Sequence, residues 1–120
     1  MSRLPESLRS RTKAFASSVL RLFATLPKSK NESIVIGHQL LRSGTSVAAH
    51  VREASRARSD AEFCSKLDGA LQECDESQLW LELLHEDCGI QGQPIEALLR
   101  ETDELISIFV TIVSRTRRQL

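Results

Sequence analysis

The sequence predicts an all-α domain: an antiparallel, up-down-up-down four-helix bundle that assembles with further copies of itself. Three observations predict it. Apolar residues recur by threes and fours along four long stretches. The breakers between them are few, with three prolines and five glycines in 120 residues. The third stretch also carries a second apolar face for which a lone bundle has no place. Such a length makes one domain with room for a real core, and the scarcity of aromatics makes that core aliphatic. Helices are expected at about 6–26, 31–58, 60–88 and 94–118, with connections short enough to make successive helices antiparallel neighbours. No internal repeat or low-complexity tract interrupts the pattern.

In the first stretch Leu8, Thr12, Phe15, Val19, Leu22 and Leu26 form one stripe. Pro5 suits its first turn and Pro27 follows its end. Its Arg and Ser content also resembles a transit peptide or a membrane-surface helix. A bundle helix is the better reading, because without it the other stripes stay uncovered. Arg21 breaks the one apolar run, which fits neither a signal peptide nor a membrane span.

Asn31 is a good N-cap for the second helix. At 100° per residue Ile36, Leu40, Ser43, Gly44, Val47, Ala48, Val51 and Ala54 share one face. Many of these side chains are very small. Gly44 carries a helix-propensity penalty of about 1 kcal/mol relative to Ala, which close approach by a neighbouring helix would offset. The SGTS stretch, Ser43–Ser46, lacks the glycine spacing and the lysine of a phosphate-cradling loop.

Ser59 and Glu62 form a capping box that opens the third helix after a very tight turn, and Gly89 can stop it in the left-handed conformation. Its inner stripe is Phe63, Leu67, Ala70, Leu71, Cys74, Leu81 and Leu84. Leu79, Trp80 and Leu83 lie on the other side and are the expected oligomer interface. The alternative is that adjacent helices of the same chain cover them.

The residues QLLRSGTSVAAHVREA, followed by DAEFCSKLDGALQECDESQLWLELL, resemble a bacterial four-helix bundle family. That family is named for members encoded by intervening sequences in 23S ribosomal RNA genes. The matching positions include Gln39, Arg42, Ser43, Gly44, Val47, Glu53 and Ala54, then Phe63, Lys66, Leu67, Ala70, Glu73, Glu76 and Trp80. The resemblance is strong over residues 32–88 and rests on pattern alone in the outer helices. It implies a ring-shaped homopentamer with no agreed biochemical activity. A more distant resemblance, to the accessory proteins of diversity-generating retroelements, implies binding of nucleic acid and a protein partner.

The fourth stretch opens with Pro94 at its first position and Glu96 in its first turn. Ile95, Leu98, Thr102, Leu105, Ile106, Phe109, Ile112 and Val113 give it a wide buried face. Arg115, Arg117 and Arg118 suit a helix C-terminus and could also touch phosphates.

The net charge is zero but unevenly spread. Residues 1–58 hold eleven Lys/Arg against three Asp/Glu, and residues 59–120 hold five against thirteen. Such halves fit a basic binding face or complementary subunit surfaces. They fit equally well helices of opposite charge neutralising each other within one bundle. Arg42, Arg52, Arg56 and Arg58 form the strongest basic cluster and the candidate contact for RNA or DNA. Without interleaved aromatics it would read backbone and shape rather than bases. Glu73 and Glu76, with Arg42, Arg52 and Glu53, are expected to form ion pairs between helices two and three.

No reaction is legible. His85 and Cys88 are three apart on the third helix, a conceivable nucleophile pair, but no orienting group or oxyanion hole accompanies them. His85 and Gln78 are expected on the inner stripe as satisfied polar groups. His38 and His50 are twelve residues apart and do not supply a metal site. No catalytic residue, metal or cofactor is therefore expected. Cys64, Cys74 and Cys88 lie too far apart along one helix to bridge, and an odd count without a CxxC fits a reducing cytoplasm.

Overall fold

The computed structural model describes residues 2–119. Its four helices are α1 (Glu6–Thr25), α2 (Asn31–Ser55), α3 (Asp60–Glu86) and α4 (Gln93–Arg118). They pack as a bundle 49 × 22 × 21 Å in extent. α2 and α3 make the most extensive contact, followed by α3 with α4 and α1 with α2. α1 and α4 close the bundle with the slightest contact. Ion pairs from Arg42 to Glu76 and from Lys66 to Glu53 show that α2 and α3 run in opposite directions.

The stripes define the core. Leu8, Thr12, Phe15, Val19, Leu22 and Leu26 are all buried, as are Leu40, Val47, Val51 and Ala54 of α2. Phe63, Leu67, Ala70, Cys74, Leu81 and Leu84 meet Ile95, Leu98, Leu105, Phe109 and Val113 in the same cluster. Gly44 has the expected neighbour. A Cβ there would lie 2.9 Å from Cγ2 of Val19, so the glycine lets α1 come close to α2.

Several ends differ from the expectations. α2 stops at Ser55 rather than near Arg58, because the chain before α1 captures its last carbonyls. The backbone N–H of Arg3 donates to Ser55 O at 3.0 Å, and Arg3 Nε donates to Ala57 O at 2.9 Å. Asn31 is the first residue of α2 rather than its cap; Lys30 takes the cap position without a side-chain bond. Pro5 precedes α1 as its cap, and Gln93 rather than Pro94 opens α4.

The capping box is half present: Ser59 Oγ accepts from the backbone N–H of Glu62 at 3.0 Å. α3 ends at Glu86, which leaves Cys88 in the following turn. There Gly89 takes φ +72°, and the N–H groups of Cys88 and Ile90 reach back to the carbonyls of Leu83 and Leu84.

Candidate interaction surfaces

The outward side of α3 begins at its seam with α2. Two buried hydroxyls, Ser43 Oγ and Ser77 Oγ, meet at 2.8 Å inside that seam. On its outer edge Arg42 reaches Glu73 at 3.3 Å and Glu76 at 2.9 Å, and Lys66 reaches Glu53 at 3.0 Å. The expected α2–α3 ion pairs are thus formed by Arg42 and Glu53, and Arg52 takes no part in them.

These pairs set the register of an apolar strip. Val35 lies seven residues before Arg42 and Leu83 seven after Glu76. Two helical turns, about 10 Å, therefore carry both side chains to one level on the same outer face. Leu79 is 46% exposed and Val35 51%. Leu83 and Trp80 are half-buried. The Trp80 ring packs against the core, and its indole N–H is buried with no hydrogen-bond acceptor. Leaving such a donor unmade costs about 1–3 kcal/mol. Leu79 and Leu83, expected from sequence as an interface, lie on this strip, and Val35, which the sequence did not single out, extends it onto α2.

The basic cluster is divided by the structure. Arg42 is engaged with two carboxylates, and Arg58 approaches Glu62 within its own stretch at 3.6 Å. Arg52 and Arg56 instead face α1. With Glu6, Arg9, Ser10 and Lys13 they line a cleft of about 240 Å³. Arg9 and Lys13 were not singled out from sequence, although their i,i+4 spacing matches that of Arg52 and Arg56.

The other polar candidates are satisfied locally. Gln78 lies at the edge towards α4, half-buried rather than central, and donates to Thr102 Oγ1 at 3.1 Å and Asp103 Oδ1 at 2.6 Å. His85 is also half-buried, and its Nδ1 is bonded to the Ile90 carbonyl at 2.8 Å, tying down the α3–α4 turn. That nitrogen is therefore occupied by backbone rather than by Cys88.

All three cysteines are free and buried. The Cys74 thiol lies 3.7 Å from Thr102 O, and burial, reinforced by Asp75, Glu101 and Asp103, pushes its pKa up to about 12. It is held as a neutral thiol, which makes it a poor nucleophile. Among the described residues no group of three His, Cys, Asp or Glu side chains is placed to hold a metal ion. No helix among them is long and apolar enough to cross a membrane.

A groove of about 590 Å³ runs between α1 and α4, floored by Phe15, Leu22 and Leu98 and edged by Ala14, Ser18 and Ala97. At its lower end Arg11 clasps Glu101 through two bonds of 2.7 and 2.8 Å. The guanidinium of Arg11 is held above its ordinary range chiefly by that hydrogen bond.

Comparison with known proteins places this geometry. A crystal structure of a protein of unknown function from the S23 ribosomal protein family of Bacteroides thetaiotaomicron is 32% identical to this chain. The match covers 91% of this chain and 96% of that one, with a TM-score of 0.81. No functionally curated protein matches the chain. The 23S rRNA-intervening sequence protein family matches over residues 7–111, which span the four-helix architecture from the start of α1 into the last turns of α4, and the chain belongs to that family.

Proposed function

We propose that this protein is a homo-oligomer, a ring of bundles that acts through protein contacts and catalyses no reaction. The observation that carries the reading is the apolar strip of Val35, Leu79 and Leu83 beside Trp80. Two large aliphatic side chains about half exposed on one face are a poor fit to solvent and a good fit to a second copy. The uneven charge supports the same arrangement. The part of that asymmetry not neutralised within the chain by Arg3, Arg11 and Arg42 favours a head-to-tail contact between copies, and such contacts form rings where the rotation closes. The pentamer implied by the family resemblance is the ring size we adopt. A reducing cytoplasm suits its three free thiols.

The test is solution mass by light scattering. The protein should run at a multiple of its 13.4 kDa chain, five-fold for the pentamer. Trp80→Glu should break the assembly, and Val35→Glu with Leu79→Glu should do so without touching a core side chain. Both should keep the helical circular dichroism. An assembly that survives Val35→Glu/Leu79→Glu would remove this face from the interface.

A second reading, nucleic-acid binding on the basic face of α1 and α2, is favoured by one observation: Arg52 and Arg56 converge with Arg9 and Lys13 on a single cleft.

A further inference from the structure

We infer that the cleft between α1 and α2 is a phosphate-binding site, built by Arg9, Lys13, Arg52 and Arg56 with the Ser10 hydroxyl. The inference rests on the second reading for its source of phosphate, a nucleic-acid backbone. A free phosphate would be recognised by the same chemistry.

The first ground is the pattern of ion pairs along the bundle. The α2–α3 seam is crossed by Arg42 and Lys66, the α3–α4 seam by Arg117 to Asp68, and the α1–α4 seam by Arg11. Among the described residues the α1–α2 seam is crossed by none. There the cations of one helix face cations of the other.

Arg9 and Lys13 are one turn apart on α1, and Arg52 and Arg56 are one turn apart at the end of α2. Like charges at that spacing repel within each helix, and the facing pair adds to the repulsion. Glu6 is the single carboxylate lining the cleft, and it lies within ion-pair distance of none of the four. The dipole at the α2 C-terminus accounts for Arg52 and Arg56 but not for the two cations on α1.

The second ground is an unfilled donor. Nε of Arg9 is shut off from solvent and has no acceptor in the protein. Buried donors are almost always partnered. A tetrahedral oxyanion in the cleft brings several acceptor oxygens, which the half-buried Arg9 would meet by turning its guanidinium outward, and guanidinium groups hold phosphate through paired N–H bonds. With no aromatic lining the cleft, binding would follow the backbone and not the bases.

The experiment compares the protein with Arg52→Gln/Arg56→Gln, both exposed positions, and with Arg115→Gln/Arg118→Gln as a control at the bundle's arginine-rich end. One arm follows a labelled structured RNA by fluorescence anisotropy across a salt series. The other measures thermal stabilisation by pyrophosphate and by inorganic phosphate. Circular dichroism confirms that each variant is folded.

The expected result is RNA binding whose log affinity falls linearly with log salt. Arg52→Gln/Arg56→Gln should weaken it at least ten-fold and flatten the slope by roughly two, about 0.9 for each phosphate no longer neutralised. The control should keep most of its affinity. RNA binding unchanged in Arg52→Gln/Arg56→Gln would overturn the cleft and leave the nucleic-acid reading standing. No RNA binding, with stabilisation by pyrophosphate or phosphate that this variant loses, would keep the cleft and overturn the nucleic-acid source. No response in either arm would overturn both.

Discussion

The α2–α3 seam and the α1–α4 seam solve the same problem with different side chains. Between α2 and α3 small residues bring the backbones together. Ser43 meets Ser77, and Gly69 leaves room for His50, whose ring would lie 2.9 Å from a Cβ there. Charged residues then seal the outer edge. Between α1 and α4 the small residues Ala14, Ser18 and Ala97 border an open groove instead. The helices touch least there, and one clasp, Arg11 with Glu101 and Glu104, ties them across its lower end. Small side chains therefore do not by themselves draw helices together. They allow close approach where the facing surfaces fit, and leave a trough where larger neighbours hold the helices apart.

The largest expected difference comes from deleting methyl groups on either side of that contrast. Leu81 sits one turn above Ser77 and is fully buried, whereas Leu22 lines the groove. Leu81→Ala should destabilise by about 2–5 kcal/mol, because tight packing leaves the cavity unfilled. Leu22→Ala should fall at the low end, about 2 kcal/mol, because its space already opens to solvent. Urea unfolding at one fixed protein concentration measures both. Equal losses would mean that the α1–α4 seam is packed as tightly as the centre.

Gly44 probes the intermediate case, α1 against α2. The atoms nearest an added Cβ are Cγ2, Cγ1 and Cβ of Val19, at 2.9, 3.1 and 3.3 Å. Val19 is fully buried and branched, so it cannot swing aside. Gly44→Ala gains about 1 kcal/mol of helix propensity and loses about 1–3 kcal/mol to overpacking. Gly44→Val adds further atoms at the same place and should lower the urea midpoint more than Gly44→Ala does. A Gly44→Val protein as stable as the parent would show that α1 moves freely against α2. That would extend the looseness of the α1–α4 seam to both sides of α1.

What was legible in the chain divides along the same line. Helical period alone placed Leu8 through Leu26 and Ile95 through Val113 inward, because burial on one face depends only on local spacing. The Ser59–Glu62 cap and the Gly89 stop were legible for the same reason: their partners are within a few residues. The end of α2 was not, because Arg3, some fifty residues away in sequence, decides it. Nor was the basic cleft. The arginines of α2 read as one cluster, and only the bundle's register separates Arg42, which crosses to α3, from Arg52 and Arg56, which face α1. The groove was hidden too, since the sizes of Ala14 and Ala97 matter only once α1 and α4 are known to touch so lightly.

The smallest expected effect is at the clasp, and it separates local from global looseness. Glu101→Ala removes a two-point contact to Arg11 that is partly exposed, with the arginine side chain 37% accessible and the glutamate 24%. Solvent screening limits the loss to about 1 kcal/mol or less. The raised pKa of Arg11 does not make this loss pH-dependent in ordinary buffers. A cation held above its ordinary value contributes at every pH below that range and loses the contribution only as pH rises through it. Global stability is therefore a blunt readout, and amide hydrogen exchange is the sharper one. In Glu101→Ala the amides of α1 and α4 beside the groove should exchange several-fold faster, while those of α2 and α3 around Ser43 and Ser77 keep their protection. Uniform acceleration in all four helices would show that the bundle opens as one unit. The two seams would then differ in shape but not in the energy that holds them.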